Sequence, residues 1–204
     1  MAFACPSDCG HCCTHLEREP DPGADEFRDI LREQGIYHCG DGARRGLSLS
    51  NAEAATLRDE ARRSGVRARL HPRTYLLETR RRLAVVLDWH LAHASCPFYA
   101  GDGCSVYAQR PLVCRAYPVM LAGPLTFAPE CPKAPAPRAD VRAELRARRA
   151  IDRAHALVDA GAWDAMERGR FAKALSTREA AERLRRYRHV ALEEFLAATA
   201  APAP

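Results

Sequence analysis

The sequence predicts an α+β fold: a small cysteine-rich domain with a short sheet and irregular loops, followed by a C-terminal α-helical segment. Three observations carry this. All nine cysteines, at positions 5, 9, 12, 13, 39, 96, 104, 114 and 131, lie in the first part of the 204-residue chain. Within that part, residues 83–89 (LAVVLDW) form an apolar run of buried-strand type. Beyond the proline-rich stretch 131–140 (CPKAPAPRAD) the chain turns Ala-, Arg- and Glu-rich, with apolar residues at helical spacing. The boundary falls near Pro137, giving residues 1–137 as a cysteine-cluster domain and 138–204 as a helical extension. With 47% hydrophobic residues, the chain has the material for a core.

The elements follow in order. Ser50-Asn51-Ala52-Glu53 is a capping box, in which hydroxyl and carboxylate satisfy each other's backbone N–H groups. The helix it opens is expected to end at Gly65. Residues 74–77 read as a short strand and 83–89 as a longer one, with Arg80-Arg81-Arg82 turning between them. From Cys96 to Val119, Gly101, Gly103, Pro111 and Pro118 break up regular structure. Dense cysteine on irregular backbone suits sulfurs aimed inward from loops. Past the boundary, Val141, Leu145, Ile151, Ala154, Leu157 and Val158 mark one helix, expected to stop at Gly161. Ser176-Thr177-Arg178-Glu179 is a second capping box, opening a last helix to about Ala198 with Leu184, Tyr187, Ala191, Leu192 and Phe195 on one face.

Charge narrows the partners. The formal net charge is +5, from 31 basic and 26 acidic residues, and most of the surplus follows Arg138. So mild an excess, without a basic stripe and stacking aromatics, argues against nucleic acid. The run 183–189 (RLRRYRH) reads as a solvated helical face beside Glu179, Glu182, Glu193 and Glu194. No stretch approaches the roughly 18 consecutive apolar residues of a membrane span. The start, MAFACPSDCG, lacks the basic and apolar regions of a secretory signal, so the expected location is the cytoplasm. No Ser/His/Asp set or carboxylate pair stands out, and no catalytic residue is assigned.

The cysteines carry the chemistry. A disulfide framework belongs to oxidising compartments and to domains too small for a core, and the count here is odd. Thiol redox chemistry has a CxxC unit in Cys9-Gly10-His11-Cys12, but no βαβ pattern around it. Metal binding remains. Thiolates are soft anionic donors suited to zinc or to iron–sulfur centres. Two clusters supply them: Cys5, Cys9, Cys12 and Cys13, then Cys96, Cys104, Cys114 and Cys131. Eight exceed the need of one tetrahedral ion, so two centres or one multinuclear centre is expected, and crowded thiolates would make the metal a folding requirement. Iron is slightly preferred over zinc. Cys39 is left as a free thiol.

Two blocks carry a family resemblance. The first is Cys9-Gly10-His11-Cys12-Cys13. The second runs through Cys96-Pro97-Phe98-Tyr99, Cys104-Ser105-Val106-Tyr107 and Arg110-Pro111-Leu112-Val113-Cys114-Arg115-Ala116-Tyr117-Pro118, with Cys131 trailing. Together they resemble the CxxCxxCC cysteine-cluster family of zinc- or iron-chelating (YkgJ-like) domains, over residues 5 to about 132. One departure is that three residues, rather than two, separate Cys5 from Cys9. The resemblance implies metal chelation by these cysteines. A flagellin lysine-methylating protein carries a similar cluster, which adds the alternative of a metal-dependent protein-modifying enzyme.

Around the sulfurs, Pro111 is suited to open a short helix containing Cys114. Arg110 and Arg115 flank that cysteine, and their guanidinium groups would stabilise an anionic centre. Tyr107 and Tyr117 are expected to pack against the site. The C-terminal helices are a candidate surface for a protein partner.

Overall fold

The computed structural model describes residues 9–14, 24–39, 47–121, 125–128, 131 and 140–200. Its centre is the hairpin of β3 (Leu70–Glu78) and β4 (Leu83–Leu91). The turn between them is clamped by Glu78, only 1% exposed, whose carboxylate accepts N–H bonds from Arg80 and Arg81 at 3.1 and 2.6 Å. β3 starts earlier than the sequence suggests. Pro72 cannot donate to a ladder, and the strand absorbs it through shifts of register, from Pro72↔Trp89 to Thr74↔Asp88 and then Tyr75↔Val86.

β1 (Ile36–His38) pairs antiparallel with β3. The outer edge of β4 takes two strands end to end. β2 (Leu47–Leu49) runs antiparallel to residues 89–91, and β7 (Arg188–Ala191) runs parallel to residues 83–86. The result is a small mixed sheet, and with its helices an α+β fold. A separate hairpin joins β5 (Val119–Leu121) to β6 (Leu125–Phe127).

Alternation along the strands makes two apolar faces. Ile36, Leu76, Leu83, Val85 and Leu87 face α5 (Arg142–Arg168) and α7 (Leu192–Thr199), which contribute Ala162, Ala165, Leu192 and Phe195. α2 (Ala24–Gln34) adds Leu31 there. Tyr37, Tyr75, Leu77 and Ala84 lie under Ala180 and Leu184 of α6 (Thr177–Arg186). A third cluster joins Leu49 and Leu91 to α3 (Asn51–Ser64) through Ala54, Leu57 and Ala61. α3 has the expected capping box and a left-handed Gly65 cap at φ 70°. Its Asn51 is pinned to the sheet, donating to Val86 O at 3.1 Å and accepting from Trp89 Nε1 at 2.8 Å.

Two helix expectations are corrected. α5 runs through Gly161 instead of stopping there. A Cβ at Gly161 would lie 2.9 Å from Leu192 Cδ2, so this glycine admits α7 against α5. The last helix is two helices. The capping box opens α6, but Tyr187 turns extended and residues 188–191 join β4, because pairing with an open strand edge buries Val190 to 4% exposure. Residues 188–191 are thus built into the sheet. The expected boundary near Pro137 lies outside the described residues. Among the described residues no helix is long and apolar enough to cross a membrane.

His38 makes this fold acid-sensitive. Its Nδ1 meets Thr74 Oγ1 at 3.3 Å. Burial, and then the Arg73 guanidinium, lower its pKa from 6.5 to about 4, against the opposing charge of Asp88. The unfolded chain therefore takes up this proton first, and stability falls as pH drops through that window, by about 3 kcal/mol at its lower end. A His38→Asn variant is expected to lose this part of the pH slope in denaturant titrations. Equal slopes for both proteins would remove His38 as the cause.

Candidate metal centre

The first cysteine block is set by Gly10. Its φ of 53° suits a residue without a Cβ. From there the chain enters the single turn α1 (His11–Thr14), with Cys13 and Thr14 donating N–H to Gly10 O at 2.9 and 3.0 Å. Gly10 has a second reason to be glycine, since a Cβ there would fall within the Tyr99 ring. The Tyr99 hydroxyl donates to Gly101 O at 2.8 Å, fixing that ring. Cys96 N–H donates to Cys13 O at 2.6 Å, and Ser95 Oγ donates to Thr14 O at 3.3 Å. These contacts hold the first block on the second.

The second block hangs from the core. Phe98 and Val106, 2% and 4% exposed, pack with Leu57 and Leu91. Ser105 donates to Phe98 O through both N–H and Oγ, at 2.9 and 3.0 Å. Tyr99 and Cys104 form an antiparallel bridge, and Ala100 N–H reaches Gly103 O at 2.9 Å to close the turn. Cys96 and Cys104 therefore stand at the two feet of one anchored loop. A 3-10 turn (Tyr107–Gln109) leads to Pro111, which precedes α4 (Leu112–Ala116) and brings in Cys114. Cys131 is buried beside the end of α4: its N–H donates to Ala128 O at 3.0 Å, and Ala128 N–H donates to Pro118 O at 2.8 Å.

The two blocks meet at Cys13 and Cys96. Cys12, Cys13 and Cys96 act on one another's protonation. Hydrogen bonding with Cys12 and Cys96 raises Cys13, and the same interaction lowers Cys12 and Cys96 from 9.0 to about 7. Burial raises Cys104. Burial first, then the charges of Cys96, Cys12 and Cys104, raise Cys114. Cys9 is half-buried at the entrance to α1. Cys5 lies outside the described residues. Cys39 packs elsewhere, against the cluster of Tyr37 and Tyr75, and its thiol is raised by burial.

Arg110 reaches the sulfurs electrostatically. Its charge favours the thiolate at Cys12, Cys104 and Cys114. Its Cζ lies 3.6 Å over the Tyr107 ring, and its Nε donates to Tyr107 O at 3.2 Å. Tyr107 is 57% exposed and serves as a platform for Arg110. Arg115 is exposed, and Tyr117 is half-buried after α4. Sequence reasoning missed the pairing of Gly10 with Tyr99. The glycine was visible between Cys9 and His11, but nothing local names its partner.

The donor set fits a soft cation. Several cysteines of both blocks converge there, and the Arg110 charge favours their thiolate forms. Among the described residues no three His, Cys, Asp or Glu side chains enclose an ion as they stand.

Neither a curated protein nor a solved structure matches the chain. One family model does, covering residues 4–132 and both cysteine blocks, under the description "Putative zinc- or iron-chelating domain". That match spans more than half of the sequence, and the chain belongs to the CxxCxxCC family.

Proposed function

We propose that this protein holds a metal centre through up to eight thiolates: Cys5, Cys9, Cys12, Cys13, Cys96, Cys104, Cys114 and Cys131. The observation that carries the reading is the bond from Cys96 N–H to Cys13 O at 2.6 Å, which brings together cysteines from distant parts of the chain. Iron, as an iron–sulfur or multinuclear centre, is the preferred occupant, because a thiolate-rich set beside Arg110 suits a charged cluster. Zinc is the alternative. Bound metal would fix the loops that carry the sulfurs and so supply folding energy. Cys12, Cys13 and Cys96 bind where the blocks meet, Cys5, Cys9, Cys104, Cys114 and Cys131 complete the set, and Arg110 stabilises the thiolates. Such a centre belongs in the reducing cytoplasm, where thiols stay available.

The test is purification without added metal, followed by elemental analysis and an ultraviolet–visible spectrum. Iron with charge-transfer absorption is expected. A colourless protein with stoichiometric zinc would end the iron version, and a folded, metal-free protein would end both.

A further inference from the structure

α4 carries Cys114 but lacks a cap of its own. Its N-cap residue is Pro111, which has no side-chain acceptor, and no side-chain cap bond forms there from Pro111. The first N–H groups of a helix need partners from elsewhere. Leu112 N–H finds one far back in sequence: Glu53 Oε1 accepts it at 2.7 Å.

Glu53 is also the acidic member of the α3 capping box. Its other oxygen, Oε2, accepts from Ser50 N–H at 2.9 Å and from Ser50 Oγ at 3.0 Å. One half-buried carboxylate thus caps two helices, one with each oxygen. The molecule contains its own comparison. At Ser176–Glu179 the same motif forms, with Ser176 N–H and Oγ donating to Glu179 Oε2 at 3.0 and 2.6 Å. That glutamate is exposed, and its hydrogen bonds to side chains and backbone among the described residues all involve Ser176. The motif alone therefore does not call for a second helix. At Glu53 the second bond joins α3, which is fixed to the sheet through Asn51, to the short helix bearing Cys114.

We infer that Glu53 is a positioning residue of the metal centre, supplying across space the cap that Pro111 cannot and so fixing where Cys114 stands. This rests on the reading of Cys114 as a metal ligand. Glu53 touches no sulfur; it acts through the Leu112 backbone. Glutamine has the same shape but only one accepting oxygen, so Glu53→Gln can satisfy Ser50 or Leu112 and must set an N–H against the other.

Two measurements test this beside a control, Gly65→Ala. That variant weakens α3 at its far end, where an added Cβ meets nothing within 4 Å and the cost is the φ of 70°. In the protein as purified, Glu53→Gln is expected to raise the alkylation rate of Cys114, read by mass spectrometry, roughly tenfold. In the loaded protein, metal transfer to a chromophoric chelator should quicken by a similar factor, the usual size of an outer-shell loss. Gly65→Ala should leave both at the wild-type rate despite lower thermal stability. Wild-type alkylation in Glu53→Gln, or an equal rise in Gly65→Ala, would overturn the assignment. A wild-type protein that takes up no metal would defeat the proposed function, while the alkylation arm still decides Glu53. If Glu53→Gln does not fold, Glu53→Asp, too short to span both partners, gives the same comparison.

Discussion

Gly10→Ala is expected to abolish most metal loading while leaving the sheet intact. Two costs act together. Alanine at a φ of 53° costs about 1–2 kcal/mol. The new Cβ also falls within the Tyr99 ring, so either the ring or α1 must move. Tyr99 is held by its bond to Gly101 O and flanks the buried Phe98, so α1 is the part that yields. Moving α1 breaks the bond from Cys96 N–H to Cys13 O and draws the first cysteine block away from the second. Metal per chain should fall to about a tenth of wild type, on the scale of a 1.4 kcal/mol step per decade. Far-ultraviolet circular dichroism should be retained. Adding Tyr99→Ala should restore part of the loading, because it removes the overlap and leaves only the backbone cost. Full loading of Gly10→Ala would show that the two blocks do not need this contact.

Cys96→Ser is expected to weaken binding about a hundredfold. Structural zinc in small thiolate sites is worth roughly 10–16 kcal/mol. One ligand in four therefore accounts for about 3 kcal/mol, or about two decades in affinity. Serine keeps the backbone bond to Cys13 O but replaces a soft anion with a neutral hydroxyl. Cys39→Ser, made at a thiol among the tyrosines of the other sheet face, should match wild type. Competition with a chromophoric chelator reads both. An unchanged affinity for Cys96→Ser would remove the link between the second block and the metal.

The parts of the fold legible in sequence were those set by local chemistry. The Ser50–Glu53 box, the Gly65 stop and the arginine turn between the central strands all formed where residue type places them. Pro111 preceding α4 was legible for the same reason. What failed depended on neighbours distant in the chain. Gly161 reads locally as a helix stop, but its bare Cα is used for contact with Leu192. Residues 187–191 have a helical apolar period, yet an open edge of β4 draws them into a strand. The cysteine pattern announced its chemistry because soft donors at such density have few other uses. The Gly10–Tyr99 contact and the second bond of Glu53 were hidden because each joins residues far apart in the chain.

The end-to-end arrangement of β2 and β7 on β4 has a consequence for biosynthesis. While the chain is still emerging from the ribosome, both cysteine blocks and the whole central hairpin are out before residues 188–191 arrive. During that interval half of one β4 edge has nothing to pair with, and the apolar surface awaiting Ala162, Leu192 and Phe195 is bare. A nascent chain cut short near Pro137 would be left in that sticky state, so chaperone capture, rather than a missing function, is what truncation would first bring about.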